Sequence, residues 1–189
     1  ADGPLGIDTI DESGGGVDTL DFSATTTLGV TVNLGLATQQ TVNANLALVL
    51  SSGVTMENVI GGALNDQFTG NSAANTFTGG LGNDTYLFDA DTVLGSDLVD
   101  EKANGGTDTL DFSATTTLAV SVNVSVTTSQ TVNKNLALRL VDGASVENIT
   151  GGSLGDTLTG NNLDNTLIGG PGNDNLRGGL GNDIYGFAA

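Results

Sequence analysis

The chain has 189 residues and a formal net charge of −18, since it carries 22 acidic residues and only 4 basic ones; this charge makes nucleic acid and anionic membranes poor partners. The absence of His removes the commonest general base, and the absence of Cys removes thiol nucleophiles, disulfides and thiolate metal sites, so we expect no enzyme. No apolar run is long enough to span a membrane. With 29 Gly and only 4% aromatic residues, the chain cannot build a thick apolar core, so we expect it to need bound cations to fold.

The first elements predicted along the chain are β-strands. Residues 28–36 (LGVTVNLGL) alternate between apolar and other residues, which is typical of a strand with one buried face. That face carries Val30, Val32, Leu34 and Leu36. No helical period of 3.6 residues appears anywhere in the sequence, so we predict an all-β fold.

A further strand is predicted over residues 46–50 (LALVL), which recur as residues 136–140 (LALRL). Because Val49 in the first segment corresponds to Arg139 in the second, this position should face water. Side chains alternate along a strand, so the remaining apolar positions should point inward. In the first segment these are Leu46, Leu48 and Leu50.

Three stretches share one nine-residue form: GGLGNDTYL (79–87), GGPGNDNLR (169–177) and GGLGNDIYG (178–186). The glycines let the backbone turn with φ > 0, the Asp at position six supplies charge, and the apolar residue at position eight points inward from a short strand. Calcium accepts six to eight oxygen ligands, including backbone carbonyls. Each nonapeptide therefore predicts a metal-binding turn followed by a very short strand.

The nine-residue frame extends through residues 52–87 and 142–186. The eighth position of every nonapeptide in these two blocks is apolar, and we expect all of these side chains in the core, the two tyrosines included. They are Val59, Phe68, Phe77, Tyr86, Ile149, Leu158, Leu167, Leu176 and Tyr185.

A longer repeat overlies the nonapeptides. GGVDTLDFSATTTLGVTVN (15–33) recurs 90 residues later as GGTDTLDFSATTTLAVSVN (105–123). LGIDTIDE (5–12) likewise corresponds to LGSDLVDE (94–101). We predict two tandem units, residues 1–89 and 90–189, taken from a longer array, with one additional nonapeptide in the second.

The nonapeptides resemble the repeats-in-toxin (RTX) family, the haemolysin-type calcium-binding repeats of bacterial proteins exported by type I secretion. The segments between them resemble the degenerate spacers of large RTX surface proteins and adhesins. The resemblance implies a right-handed parallel β-roll, a β-solenoid with several Ca²⁺ ions in its turns, interspersed here with additional β-strands. Residues eighteen apart would then stack on one side, about 4.8 Å from each other.

In the family each ion lies between two turns on the same side of the roll, and the resemblance implies three such sites here. The first comprises Gly62, Leu64 and Asp66 with Gly79, Leu81 and Asp84. The second comprises Gly152, Leu154 and Asp156 with Gly169, Pro171 and Asp174. The third comprises Asn161, Leu163 and Asn165 with Gly178, Leu180 and Asp183.

Other polar positions are weaker metal candidates. Glu57 with Asn75, and Glu147 with Asn165, replace the aspartates by a longer acid and a neutral amide. Several aspartates outside the nonapeptides have irregular spacing, so that calcium binding and strand-end turns remain alternatives for them. They are Asp8, Asp11, Asp18, Asp97, Asp100 and Asp108, whereas Asp21 and Asp111 are predicted to be structural.

The resemblance implies a calcium-binding structural extension module of a secreted or cell-surface bacterial protein, with neighbouring repeats of its parent chain as partners. The serious alternative is a carbohydrate-binding accessory module of an extracellular polysaccharide-active enzyme, since fold does not determine function. Polysaccharide binding would need an exposed aromatic platform, for which two Tyr and no Trp offer little. An ice-binding Thr ladder is interrupted by Asn175 and Arg177.

Overall fold

The computed structural model describes residues 1–102 and 105–187, which form nineteen short strands and no helix. The strands before residue 90 are β1 (Gly6–Ile10), β2 (Thr19–Asp21), β3 (Thr31–Asn33), β4 (Gln40–Asn43), β5 (Leu46–Leu50), β6 (Asn58–Ile60), β7 (Gln67–Thr69), β8 (Thr76–Thr78) and β9 (Thr85–Leu87). The strands after it are β10 (Gly95–Val99), β11 (Thr109–Asp111), β12 (Ser121–Asn123), β13 (Gln130–Asn133), β14 (Leu136–Leu140), β15 (Asn148–Thr150), β16 (Thr157–Thr159), β17 (Thr166–Ile168), β18 (Asn175–Arg177) and β19 (Ile184–Gly186). The all-β prediction is confirmed.

The strands form parallel stacks in the manner of a β-roll. One stack contains β2, β6, β8, β10 and β14 in that order, and another contains β3, β7, β9, β11, β15, β17 and β19. Strands β12, β16 and β18 form a further stack. Successive nonapeptide strands alternate between stacks, so each pairs in parallel with the strand eighteen residues away, as Val59 does with Phe77 and Phe68 with Tyr86.

The spacer between the two nonapeptide blocks continues the stacks. Strand β10 pairs with β8 on one side and with β14 on the other, and β11 lies between β9 and β15. Here the offsets differ from eighteen, because Leu98 lies beside Thr76 and Thr109 beside Thr85. The second copy of the long repeat therefore stacks directly on the last nonapeptides of the first.

The core consists of rows of inward-pointing side chains between the stacks of strands. From Val59 to Tyr86 and from Ile149 to Leu167, every eighth-position residue of the nonapeptides is at most 1% exposed. Ring centroids lie 5.9 Å apart for Phe77 and Tyr86 and 5.2 Å apart for Phe88 and Phe112. Such aromatic pairs add about 0.5–1.5 kcal/mol each beyond the area they bury.

The prediction for residues 46–50 is confirmed, since Leu46, Leu48 and Leu50 are buried and Arg139, the counterpart of Val49, is exposed. The expected strand over residues 28–36 is wrong in length. Its regular part ends at Asn33, whose side chain accepts a hydrogen bond from the Gly35 amide at 2.8 Å and turns the chain. Leu36 is consequently 40% exposed rather than buried.

The expectation for the last eighth-position residue is also wrong. Tyr185 is 42% exposed, because it lies on β19, which pairs only with β17 among the described strands. Tyr86, by contrast, is fully buried, since β9 lies between β7 and β11. Burial of the eighth position thus depends on a coil stacked on each side.

Candidate metal centre

The complete nonapeptides form turns that only glycine can make comfortably. Gly80 and Gly82 have φ of +106° and +113°, in the left-handed region that L-residues with a Cβ rarely enter. A Cβ on Gly80 would also overlap the carbonyl oxygen of Gly62, in the turn eighteen residues earlier. The paired glycines therefore allow one turn to lie directly against another.

Replacing one of these glycines should loosen the stack. We expect Gly80→Ala to lower the free energy of unfolding in saturating calcium by about 1–3 kcal/mol. The backbone conformation at this position is strained for alanine, and the new Cβ would overlap the carbonyl oxygen of Gly62. Urea unfolding followed by circular dichroism measures this change. Gly3→Ala is the matched control, since nothing lies within 4 Å of its Cβ position, and an equal loss in both variants would contradict the stacking argument.

The position-six side chains form ladders between stacked turns. The backbone amide of Asp66 donates to Asp84 Oδ1 at 2.7 Å, and that of Asp156 donates to Asp174 Oδ1 at 2.9 Å. The Asn165 amide donates to Asp183 Oδ1 at 3.0 Å. The structure therefore brings together the acidic or amide pair of each of the three predicted sites.

Backbone carbonyls join these pairs. Asp66 Oδ2 and the carbonyl oxygen of Gly79 both lie beside the α-carbon of Gly61, where they would collide with any Cβ. In the second site, Asp156 Oδ2 and the Gly169 carbonyl oxygen each lie 2.5 Å from the Cβ position of Gly151. The third site has the same arrangement, with Asn165 Oδ1 and the Gly178 carbonyl oxygen beside Gly160. Oxygens from two turns thus converge, as a hard cation requires.

Some predicted carbonyl ligands also serve as hydrogen-bond acceptors. The Gly62 carbonyl accepts the Leu81 amide at 3.2 Å, and the Asn161 carbonyl accepts the Leu180 amide at 3.2 Å. A carbonyl oxygen has two lone pairs, so one remains for a cation. In the second site the corresponding position is Pro171, which has no amide hydrogen to donate to Gly152. The predicted leucine ligands, Leu64, Leu154 and Leu163 among them, hold exposed side chains, so only their carbonyls could contribute.

The carboxylates have different hydrogen bonds in complete nonapeptides and in those that depart from the GG-x-G-N-D form. In the latter, the second side-chain oxygen accepts an amide hydrogen of the same turn, as Asp66 Oδ2 does from Gly62 and Asp156 Oδ2 from Gly152, both at 2.6 Å. In the complete turn of residues 79–84, Asp84 Oδ2 is buried and has no hydrogen-bond partner in the part of the chain that the structure describes. The complete motif therefore leaves a carboxylate oxygen free for an ion.

Burial makes these carboxylates costly to ionise without a cation. Desolvation raises the pKa of Asp66 and Asp156 and brings the pKa of Asp84 to about 8, where neighbouring acidic groups add to the effect. A buried charge is tolerated when it is paired or coordinates a metal. The turns thus have both the oxygen donors of a calcium site and an electrostatic need for one.

The weaker candidates extend the ladders with mixed geometry. Asp97 is 3% exposed, and its Oδ1 accepts the Asn75 amide at 2.9 Å. Its Oδ2 has no partner among the described residues, and burial raises its pKa to about 7. Glu57 and Glu147 accept the amides of Asp18 and Asp108 at 2.9 and 2.8 Å.

Asp18 likewise has a buried oxygen, Oδ2, without a partner among the described residues, whereas the remaining aspartates predicted outside the nonapeptides have simpler surroundings. Asp8 is exposed and Asp100 half-buried, so neither lies in a closed pocket. Asp21 and Asp111 instead accept the amides of Ser23 and Ser113, both at 2.8 Å. Both bonds close local turns, which is a structural role for these two side chains.

Sequence reasoning missed Glu101. This residue is 1% exposed, and one of its oxygens lies within 4.8 Å of oxygens of Asp84 and Asp108. Burial raises its pKa to about 7. The repeated segment ends in Asp-Glu at residues 11–12 and again at residues 100–101. Only the second occurrence follows a complete nonapeptide, and this difference is the sequence feature that could have indicated Glu101.

Comparison with protein families agrees with this geometry. Residues 60–94 and 150–185 match the family model described as the RTX calcium-binding nonapeptide repeat, in four copies. The comparison with curated proteins gives no match. No helix that could cross a membrane occurs in the described part of the chain. The two matched segments are RTX calcium-binding nonapeptide repeats, and in this structure they form part of a β-roll.

Proposed function

We propose that the chain is a calcium-dependent extension module of a secreted or cell-surface bacterial protein of adhesin-like organisation. The observation that carries the proposal is the convergence of carboxylate and carbonyl oxygens between stacked turns, repeated at each of the three paired sites. Ions at such positions stiffen the stack and offset its charge of −18. They hold structure and perform no chemistry, so we propose no catalytic role for this chain.

The connectivity supports a spacer. Each strand of the roll pairs only with its neighbours in a stack, and the stacks continue from the first copy into the second through β8–β10 and β9–β11. Proteins of this kind are quasi-one-dimensional, so that length is set by the number of repeats. Such a rod would hold another domain away from the cell surface.

The calcium affinity of such modules favours folding outside the cell. Extracellular calcium modules have dissociation constants of about 10⁻⁴–10⁻³ M, far above the concentration of free calcium in the cytosol. A chain with this charge and few aromatic residues stays unfolded until ions are supplied, which suits export before folding. We therefore propose that type I secretion delivers the chain unfolded and that external calcium folds it.

The carbohydrate-binding alternative has no observation of its own. Of the aromatic side chains, only Tyr185 and Phe187 are exposed, and both lie in the last described coil. The others are core residues packed in the roll. An aromatic platform along the side of the rod is therefore lacking.

Small-angle scattering tests the spacer proposal. In saturating calcium we expect one elongated particle containing both copies, because the stacks run unbroken through the junction. In excess chelator the scattering should become that of a flexible chain. A compact globular particle in calcium would contradict the proposal, and saturable binding of a defined polysaccharide to this chain would favour the alternative.

A further inference from the structure

Three buried carboxylates meet where the second copy stacks on the first. Asp84 ends the turn before β9, Glu101 follows β10, and Asp108 precedes β11. One oxygen of each lies within 4.8 Å of the other two, and each side chain is 1% exposed. Glu101 and Asp108 lie outside the segments that match the nonapeptide family. The matched repeat therefore accounts for Asp84 alone, and the Asp84 amide donates to Asp108 Oδ1 at 2.8 Å, which extends the ladder into the second copy.

One oxygen of the cluster has no partner among the described residues. Asp84 Oδ1 accepts the Asp66 amide, but Asp84 Oδ2 is buried and accepts no hydrogen bond from residues 1–102 or 105–187. This oxygen lies beside the α-carbon of Gly79, where a Cβ would collide with it, with Glu101 Oε1 and with the Tyr86 hydroxyl. An orphaned buried carboxylate oxygen costs free energy, and here it points at two further oxygens.

Backbone carbonyls complete the surroundings. The carbonyl oxygens of Gly80 and Lys102 lie 3.0 and 3.2 Å from the Cβ position of Gly105, and Glu101 Oε2 lies 3.1 Å from the same point. The Tyr86 hydroxyl donates to Glu101 Oε1 on the other side. The carboxylate, carbonyl and hydroxyl groups named here offer oxygen ligands, the kind that calcium prefers.

The separations suit one ion. Calcium holds its oxygen ligands at about 2.3–2.6 Å, so two ligands on opposite sides lie about 5 Å apart. The 4.8 Å limit on the three carboxylate oxygens falls within that span. A cleft of about 330 Å³ is lined by Gly62, Gly80, Leu81, Glu101 and Lys102, so one member of the cluster lies in its wall.

We propose that Asp84, Glu101 and Asp108 bind one calcium ion that fastens the second copy of the long repeat onto the first. The proposal rests on the calcium dependence proposed above and adds a site built from spacer residues. Asp84 belongs to the first copy, whereas Glu101 and Asp108 belong to the second, so the ion bridges the junction. Burial raises the pKa of Glu101 to about 7 and that of Asp108 to about 6, which a cation would reverse.

Counting bound calcium tests the site. In saturating calcium, equilibrium dialysis of Glu101→Gln should show one ion fewer per chain than the unsubstituted protein, because the neutral amide keeps the shape but removes the charge. Glu12→Gln is the matched control, since Glu12 occupies the same place in residues 5–12 and lies outside the three-carboxylate cluster. It should bind the full number of ions. Circular dichroism in calcium checks that both variants fold.

The possible outcomes separate the junction site from the proposed function. An unchanged ion count in a folded Glu101→Gln overturns the junction site but leaves the proposed function intact, whereas failure of the unsubstituted chain to bind any calcium overturns both. If Glu101→Gln does not fold at that calcium concentration, a higher concentration decides, because a site that has lost one charged ligand still binds its ion when more calcium is supplied. Recovery of the folded state at higher calcium supports the site, and a chain that stays unfolded there overturns it.

Discussion

Removing calcium should convert this roll into a largely disordered chain, and its far-ultraviolet circular dichroism should lose the β-sheet signature in excess chelator. Metal binding contributes directly to the folding free energy of such modules. Above a site's dissociation constant, each tenfold rise in free calcium adds about 1.4 kcal/mol per site. If the three predicted sites act together, the midpoint of urea unfolding should rise steeply with calcium concentration.

The physical reason lies in the carboxylates. Asp84, Asp97, Glu101 and Asp156 are all buried, and burial raises the pKa of each. At neutral pH the apo roll must either protonate these groups or bury unpaired charge, and both cost free energy relative to the solvated chain. Each nonapeptide adds a single eighth-position apolar side chain to the core, so we expect core packing alone not to offset that cost.

Magnesium is the informative control for this prediction. It is smaller than calcium, requires near-ideal octahedral geometry and dehydrates reluctantly, so it binds poorly to sites made of several carbonyls. We expect magnesium at equal concentration to leave the chain mostly unfolded. A β-rich spectrum that excess chelator does not change would show that the roll is stable without metal.

The sequence predicts the roll well where one period governs it. A constant nine-residue spacing determines both the inward position and the eighteen-residue offset, so Phe68 beside Tyr86 and Ile149 beside Leu167 follow from counting. The pairing of Asp66 with Asp84 follows from the same count. Local turn chemistry and stacking agree at these positions, which is why the prediction succeeds.

Prediction fails where the spacing is irregular. Across the spacer the offsets become 22 residues for β8–β10 and 24 for β9–β11, and no repeat in the sequence specifies either number. Glu101 and Asp108 consequently could not be placed beside Asp84 by counting. Leu36 and Tyr185 fail for a different reason, since alternation predicts the direction of a side chain but not whether another segment covers it.

A calcium ion shared by two turns should appear as strong coupling between Asp156 and Asp174. Asp156→Asn and Asp174→Asn should each weaken calcium binding at the second site by about tenfold, a loss of about 1.4 kcal/mol. The Asp156 amide donates to Asp174 Oδ1, and Asp156 Oδ2 lies near the Gly169 carbonyl, so both side chains face one space. Once one carboxylate is lost, removing the other should reduce the calcium-binding free energy much less, because binding of the shared ion is already weakened.

A double-mutant cycle measured by calorimetric calcium titration tests this sharing, and Asp111→Asn serves as its control because Asp111 only caps the Ser113 amide. The chain already contains the arrangement that Asp156→Asn would create, since Asn165 pairs with Asp183 in the third site. The third site should accordingly be weaker than the second in the unsubstituted protein. Additive losses from the two substitutions would mean that the turns bind ions separately. In that case the eighteen-residue stack would hold the chain together through backbone hydrogen bonds and core packing, with no bridging ion.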